Sequence, residues 1–298
     1  MSRMGYLFIF ASVFANALKG YSSKCVSKNI DTSRDAIEIN IARSVLCCVI
    51  AAVFVLFEQE SLALSINLAE FCICLISGVS MAVFVVCWML AIKTDAYMLV
   101  SACASASFIL PCIFGIFILN EHFTLYKSLS FATSVIALYF LLRYNFSVKG
   151  KLSKISILLL AVILLSQGLN QTMQKMYAHY IVYKDGSYFT LYTFMFTSML
   201  LFPAKGFFKK SSPNIEHRRL IKKNMKYILL MSAGLFGTSY FQTLAAARVD
   251  AIILYPMVNA LSLIAGTTMA SLFFNEKISK DCIIGVLFML SALIFSKI

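Results

Sequence analysis

The stretch from Leu68 to Ile92 reads LAEFCICLISGVSMAVFVVCWMLAI and contains one charged residue, Glu70. A run of about 20 apolar residues can cross the hydrocarbon core of a bilayer as a single helix. Similar runs recur along the chain, 60% of whose residues are hydrophobic and only 13% charged. A soluble domain could not cover so much apolar surface, and β-barrel strands would alternate polar and apolar residues. The sequence therefore predicts a polytopic α-helical membrane protein.

Ten uninterrupted apolar stretches predict ten membrane spans. Some links are as short as Lys93-Thr94-Asp95, so consecutive helices must be antiparallel neighbours. The first stretch carries Asn16, Lys19 and Lys24 in its distal half, and it is interpreted as a retained span and not as a cleaved signal peptide. The predicted spans are residues 4–27, 36–57, 68–92, 95–119, 124–143, 155–182, 186–204, 226–246, 249–274 and 280–297.

A shift of 155 residues brings the second half of the sequence onto the first. Equal spacing of several polar elements in so apolar a chain predicts an internal duplication. Residues 1–146 form the first predicted five-helix repeat and residues 147–298 form the second. The superposed elements include Asp95 on Asp250, Ser107 on Ser262, and Asn120-Glu121 on Asn275-Glu276.

Each predicted repeat contains an odd number of spans, so the second repeat must enter the membrane in the opposite orientation to the first. Two similar halves of opposite orientation can exchange conformations, which gives inward-open and outward-open states of similar energy. The predicted fold class is therefore an all-α integral membrane protein of ten transmembrane helices in two inverted five-helix repeats. This architecture is suited to alternating access around one central site.

The Asn-Glu pairs close the fourth span of each half, at Asn120-Glu121 and Asn275-Glu276. With ten spans in two repeats, they resemble the drug/metabolite transporter (DMT) superfamily, specifically its EamA-like branch. The sequence has Asn where the common pattern of that family has Gly before each Glu. The resemblance implies transport of amino acids, nucleobases, sugars, sugar conjugates or amines, by exchange or by coupling to an ion gradient.

The 26 Lys and Arg residues outnumber the 13 Asp and Glu residues, and most of them lie in the links that follow odd-numbered spans. The positive-inside rule therefore predicts cytoplasmic odd links, with both termini on the outer side of the cell (inner) membrane. The basic stretch from Lys205 to Lys226 is interpreted as a topology anchor, with binding of anionic lipid head groups as the alternative. It is too short to form a nucleic-acid-binding domain, so no nucleic-acid partner is predicted.

Polar side chains within spans indicate a water-filled path or helix pairing, because they are costly in lipid. Asn16 and Lys19 lie three residues apart on one face of span 1. The repeat shift places Gln171 and Gln174 at the equivalent positions of span 6, next to Lys175. The first helix of each half is therefore predicted to line the substrate path.

Span 9 carries Tyr255, Pro256 and Asn259. Pro256 is predicted to break a helix bond beside the binding site, where Tyr255 and Asn259 are candidate lining residues. The serines of span 4, Ser107 among them, are interpreted as packing residues.

Arg43, Trp88 and Tyr240 complete the predicted substrate-binding residues. Arg43 is either a structural charge, paired with Glu38 or with another partner, or the anchor of an anionic group. Trp88 and Tyr240 can stack on a ring or an amine, and interfacial anchoring is the other interpretation of Trp88. Basic residues within spans favour an anionic or zwitterionic solute, whereas aromatics without buried acids favour an amine, so the charge of the solute stays open.

Catalytic and metal-binding signatures are weak. His122, His179 and His217 lie far apart, and the cysteines lack zinc-ligand or disulfide-framework spacing, so no metal, cofactor or enzymatic activity is predicted. Glu121 and Glu276 each close a span beside a polar link, which favours a structural role over proton coupling.

The predicted function is secondary active transport of a small polar organic solute, such as an amino acid, a nucleobase or an amine. The alternatives are a flippase for a lipid-linked substrate and a nucleotide-sugar or sugar-phosphate exchanger of the same fold. The predicted partners are the solute, the lipid bilayer and either a coupling ion (H⁺ or Na⁺) or a counter-substrate, with the chain acting as a monomer or homodimer.

Overall fold

A computed structural model of the protein confirms the all-α class. It describes residues 3–30, 32–59, 65–92, 97–121, 124–149, 154–181, 185–207, 214–274 and 280–295, and within these ranges it contains helices and no strand. The helices are α1 (Arg3–Ser27), α2 (Ser33–Gln59), α3 (Leu68–Ile92), α4 (Tyr97–Ser105), α5 (Ile109–Phe117), α6 (Leu125–Lys149), α7 (Lys154–Tyr180), α8 (Gly186–Ala204), α9 (Asn214–Ala246), α10 (Ala251–Phe274) and α11 (Lys280–Phe295).

Five of these helices are long and apolar enough to cross a membrane, and three shorter apolar helices accompany them in the described part of the chain. The five are Ser33–Glu58, Leu68–Ile92, Ser156–Tyr180, Ile221–Ala246 and Ala251–Phe273. Helices α3 and α8 have the same bounds as predicted spans 3 and 7, whereas α4 and α5 together occupy predicted span 4.

The structure differs from the sequence pattern at two points of helix continuity. Helix α9 begins at Asn214, within the stretch predicted as a polar link, because its Lys, Arg, Glu, Ile and Leu residues are good helix formers. Pro256 lies inside α10 but does not end it: the helix runs from Ala251 to Phe274, and the proline removes the one N–H that would bond to the Ile252 carbonyl. The interruption instead falls in span 4, where a 3₁₀ helix at Ala106–Phe108 separates α4 from α5.

The packing of the helices follows the predicted duplication. Helix α1 packs extensively on α9, and α3 packs extensively on α7. The repeat shift carries α1 onto α7 and α3 onto α9, so these two interfaces are equivalent. Helices α2 and α8 contact each other, as do α6 and α11, and each of these pairs joins equivalent helices of the two halves. This pattern supports two repeats, whose boundary near residue 146 stays a prediction.

Helices α1 and α9 approach each other closely at Gly234. A Cβ atom at Gly234 would lie 2.7 Å from the Ala15 carbonyl oxygen and 2.8 Å from the Lys19 backbone nitrogen. Glycine therefore allows backbone-to-backbone contact in the middle of the fold, as small residues do between membrane helices. On the other side of α1, Leu7 and Phe14 are exposed, as expected of a surface that faces lipid.

Charged side chains join helices at the end of the molecule where α2 and α9 begin. Glu38 of α2 pairs with Lys205 at 2.9 Å and with Arg34 at 3.4 Å. Lys24 of α1 donates to the carbonyl oxygen of Ile92, the last residue of α3, at 3.2 Å. We call this the Lys205 end, and we call the opposite end, where α5 and α9 finish and α10 begins, the Glu121 end.

Candidate functional site

A buried cluster of amide and hydroxyl groups joins α7, α10 and the interruption in span 4. The Gln171 side chain accepts a hydrogen bond from Ser107 Oγ at 3.1 Å and donates one to Asn259 Oδ1 at 3.1 Å. The Tyr255 hydroxyl donates to the Gln171 backbone carbonyl at 2.8 Å. Sequence analysis named three of these four residues as lining residues, and the structure brings all four together.

The 3₁₀ helix explains why this cluster forms where it does. In a continuous α-helix, the Ser105 carbonyl would accept the N–H of Ile109, but here that N–H bonds to the Ala106 carbonyl. The freed Ser105 oxygen instead accepts a hydrogen bond from Asn259 Nδ2 at 3.0 Å. Pro111 has no N–H to offer the Ser107 carbonyl, which favours the irregular geometry one turn earlier.

Helix α7 passes very close to this interruption. A Cβ at Gly168 would lie 2.8 Å from the Ser107 carbonyl oxygen, so only glycine permits the approach that brings Gln171 within reach of the Ser107 hydroxyl. The interpretation of Ser107 as a packing residue is therefore incomplete, because its hydroxyl holds a site amide. Its position one turn before Pro111 was the available sequence signal.

Gln174 links α7 to α9 through side-chain hydrogen bonds. Its Nε2 donates to the Ser239 carbonyl and to the Thr243 hydroxyl, both at 2.9 Å. Gln174 is 1% exposed, and its Oε1 has no hydrogen-bond partner among the described residues. Part of this amide therefore remains available for a further contact.

Lys19 occupies the position of span 1 that is equivalent to Gln174. Its ammonium lies 5.7 Å from the centre of the Phe84 ring and 5.9 Å from that of Trp88, within range for cation–π attraction. The repeat shift maps these two rings onto the two α9 residues that Gln174 contacts. Lys19 and Gln174 therefore occupy equivalent positions and contact equivalent positions on α3 and α9. The side chain is a cation in the first half and an amide in the second.

The structure contradicts the interfacial anchoring of Trp88 and the pairing of Arg43 with Glu38. Trp88 is only 6% exposed and lies against Phe84, so it is not an anchor on the lipid-facing surface. Arg43 is 1% exposed and makes no ion pair with Glu38, which is held by Lys205 and Arg34. Arg43 therefore does not pair with Glu38, and its role as a structural charge or as a substrate anchor stays a prediction.

Lys175 belongs to a structural clasp at the Glu121 end. Its ammonium lies 3.3 Å from Glu121 Oε1 and donates to the carbonyls of Ala246 and Val249 at 3.0 and 2.8 Å. Glu121 in turn accepts the N–H groups of Ala251 and Ile252, at the start of α10. The clasp satisfies the C-terminus of α9 and the N-terminus of α10 with charges of the favourable sign.

This geometry agrees with the structural role predicted for Glu121, while Glu276 lies outside the described residues. It argues against Lys175 as an anchor for an anionic solute, since neighbouring groups already hold its ammonium. Asn120, just before the clasp, has φ 52°, in the left-handed region where glycine and asparagine are best tolerated. Asn at this position therefore serves the turn as Gly would.

Tyr240 and Asn16 lie apart from the amide cluster. Tyr240 is half-buried near the Glu121 end, where its hydroxyl and that of Ser187 both donate to Glu58. It also stacks on Phe236 with ring centres 5.5 Å apart. Asn16 is half-buried on α1, and its side chain makes no hydrogen bond to a described residue. Sequence analysis did not single out Glu58 as a partner of Tyr240.

A cavity of about 490 Å³ opens beside the ends of α7 and α9. Its lining includes His179, Asp185, Thr243 and Arg248. Thr243 also accepts the Gln174 amide, so the cavity lies next to the polar path along α7.

Comparisons with known proteins agree with this architecture. The model of the EamA-like transporter family matches residues 3–143. A crystal structure of another protein superposes with a TM-score of 0.72, covering 99% of this chain and 96% of its own at 10% sequence identity, which shows the fold alone. No curated protein matches the sequence. Residues 3–143 thus match the EamA-like transporter family, which agrees with the drug/metabolite transporter superfamily, and this match together with the long apolar helices supports a multi-pass membrane transporter.

Proposed function

We propose that the chain is a secondary active transporter of a small polar organic solute, and not an enzyme, and that it works by alternating access between its two halves. The observation that carries this proposal is that a hydrogen bond formed by one pair of residues is missing in the pair that the repeat shift makes equivalent to it. Ser107 and Gln171 form a hydrogen bond at 3.1 Å. The repeat shift maps this pair onto Ser262 and Asn16.

The equivalent contact is not made. The Ser262 hydroxyl is buried without a hydrogen-bond partner among the described residues, and Asn16 is half-buried with its amide unbonded. An unsatisfied buried hydroxyl costs free energy, which a second conformation could recover. In an inverted repeat, the second state is obtained by exchanging the conformations of the halves. We therefore expect the Ser262–Asn16 contact to form as the Ser107–Gln171 contact opens.

The charge distribution supports the orientation within this proposal. Lys223 and Lys205 lie at the Lys205 end, where Lys223 donates to Asn29 across the helix ends. Glu58, Glu121 and Asp185 lie towards the other end. We propose that the Lys205 end is cytoplasmic and that the membrane is the cell (inner) membrane.

Cross-linking of cysteine pairs tests the exchange of contacts. In a variant without native cysteines, Ser107→Cys/Gln171→Cys and Asn16→Cys/Ser262→Cys are treated with a short bifunctional methanethiosulfonate in proteoliposomes. We expect the first pair to react in the resting protein and the second pair to react mainly during turnover. Either cross-link should stop uptake, and a reductant should restore it. The uptake panel is radiolabelled glutamate, adenine, succinate and choline.

A matched control uses the interface between α6 and α11, where Ser130 donates to the Ala292 carbonyl at 2.8 Å. Cross-linking of Ser130→Cys/Ala292→Cys should leave uptake intact, because this interface lies at the periphery of the polar path. If both central pairs react equally well at rest, and turnover changes neither, the exchange of contacts is disproved.

The flippase alternative predicts movement of lipid and no uptake of water-soluble solutes. A flippase for a lipid-linked substrate would scramble fluorescent lipid in vesicles and would ignore water-soluble solutes. Among the described residues, no cluster of three or more His, Cys, Asp or Glu side chains that could hold a metal occurs.

A further inference from the structure

Lys19 and Arg43 are two buried cations without a buried anion. Lys19 is 7% exposed and Arg43 is 1% exposed, and neither forms an ion pair with a described residue. They lie within electrostatic range of each other, with Lys19 against Phe84 and Trp88 of α3. Ser232 of α9 donates to the backbone carbonyl of Arg43, so α1, α2, α3 and α9 all meet here.

The other buried basic side chains of the described chain are satisfied, which makes these two exceptional. Lys24 bonds to the Ile92 carbonyl, and Lys175 bonds to Glu121 and two carbonyls. The fold can therefore provide acceptors where a cation has a structural role. The Lys19 ammonium instead faces the Phe84 and Trp88 rings.

Unused hydrogen-bond donors lie on the same two helices as the cations. Ser12, Lys19 and Ser23 recur along one face of α1 at helical spacing, and the hydroxyls of both serines are buried without a partner among the described residues. On α2, Arg43 Nε and the Ser44 hydroxyl are likewise unpartnered. Unmet donors combined with uncompensated positive charge require a ligand that is rich in acceptors and negatively charged.

We propose that Lys19 and Arg43 bind a small organic anion through its carboxylate or phosphate group, with Trp88 and Phe84 packing against the remainder of the ligand. Arg43 can grip either group through two parallel N–H bonds, and Lys19 adds a point charge. An amine is disfavoured, because it would add a third positive charge beside two cations that pair with no described carboxylate. The carboxylate of Glu38 is already held by Lys205 and Arg34. This inference rests on the proposed function and specifies the substrate class of the same site.

The single tryptophan of the chain provides a direct binding assay. Trp88 lies next to the Lys19 ammonium, so its intrinsic fluorescence reports ligand entry without any transport. The detergent-purified full chain is titrated with succinate, inorganic phosphate and glucose 6-phosphate, with glucose and choline as neutral and cationic counterparts. We expect a saturable fluorescence change with at least one anion and none with glucose or choline. Sodium chloride at the same ionic strength separates specific binding from screening.

Substitutions then assign the binding to the two cations. Lys19→Gln and Arg43→Gln should each weaken binding by at least about tenfold, which corresponds to losing one charge-assisted contact, and Arg43→Lys should retain part of the affinity. Lys24→Gln is the matched control, because it removes a buried α1 lysine whose ammonium is already bonded, and it should leave anion affinity unchanged.

A stability measurement distinguishes a ligand site from a structural one. Without ligand, Lys19→Gln should melt at the same temperature as the parent protein or higher, because it removes an uncompensated buried charge. A marked loss of melting temperature in the ligand-free variant, or unchanged anion affinity, would overturn the proposal. So would saturable binding of choline with no response to any anion.

The two proposals fail in different ways. Anion binding that requires Lys19 and Arg43 but leads to no uptake into proteoliposomes would refute transport and retain the anion site. Uptake of choline or adenine that is insensitive to both substitutions would retain transport and refute the anion site.

Discussion

The clasp between Glu121 and Lys175 makes the sharpest prediction about stability. Both side chains are buried, at 7% and 11% exposure, and Glu121 also accepts two N–H groups at the start of α10. Glu121→Gln preserves the shape and one acceptor oxygen but removes the charge opposite Lys175. Breaking a buried ion pair from one side costs about 3–5 kcal/mol. We take about 3 kcal/mol, because Lys175 keeps the carbonyls of Ala246 and Val249.

Thermal unfolding in detergent measures this cost. At roughly 2–4 °C per kcal/mol, Glu121→Gln should lower the melting temperature by roughly 6–12 °C. Lys175→Met should lower it comparably, because it leaves a buried carboxylate without its cation. The double variant removes both charges, so it should be less destabilised than the sum of the two changes, with a coupling of about 1–3 kcal/mol.

Asp281→Asn is the control for this series. Asp281 lies in the first turn of α11 and makes no ion pair with a described residue, so its substitution should shift the melting temperature little. A Glu121→Gln protein that melts within about 1 °C of the parent would show that the clasp does not stabilise the fold. Strict additivity of the two single changes would refute their coupling.

Three further outcomes are expected. Asn259→Leu leaves the Ser105 carbonyl and the Gln171 amide without their partner, and it should lower the free energy of unfolding by about 2–4 kcal/mol in a denaturation assay. Gly234→Ala forces a methyl group against the backbone of α1 and should reduce the yield of folded protein in size-exclusion chromatography, whereas Gly206→Ala, with open space around it, should not. Asn120→Gly should be neutral or slightly stabilising in thermal unfolding and Asn120→Ala destabilising by about 1 kcal/mol, because φ at this residue is positive.

Sequence analysis predicts the fold well where one physical quantity dominates. The cost of exposing polar backbone to lipid makes apolar length informative, and the bounds of α3 and α8 follow from it directly. The equivalence of Lys19 and Gln174 also follows from the sequence, and the contacts of both residues on α3 and α9 agree with it. Burial of Gln171 and Asn259 follows from the presence of amides in apolar runs.

Partner choice depends on tertiary distances that spacing does not encode. Glu38 lies five residues from Arg43 yet pairs with Lys205, and Lys175 finds Glu121 in the other half of the chain. The position of the helix interruption depends equally on context. Both Pro111 and Pro256 are local signals, yet α10 continues through Pro256, whereas span 4 is interrupted one turn before Pro111, where Gly168 lies against it. The roles of individual site residues were therefore less predictable than their burial.

The difference between Lys19 and Gln174, which occupy equivalent positions of the two predicted repeats, has a consequence for energetics. Gln174 is bound to α9 through two hydrogen bonds, whereas the Lys19 ammonium contacts two aromatic rings of α3. The inward-open and outward-open states of the protein should therefore differ in free energy. Without cargo, the resting population should favour one facing direction, and a chimera of two identical second halves should lose that bias.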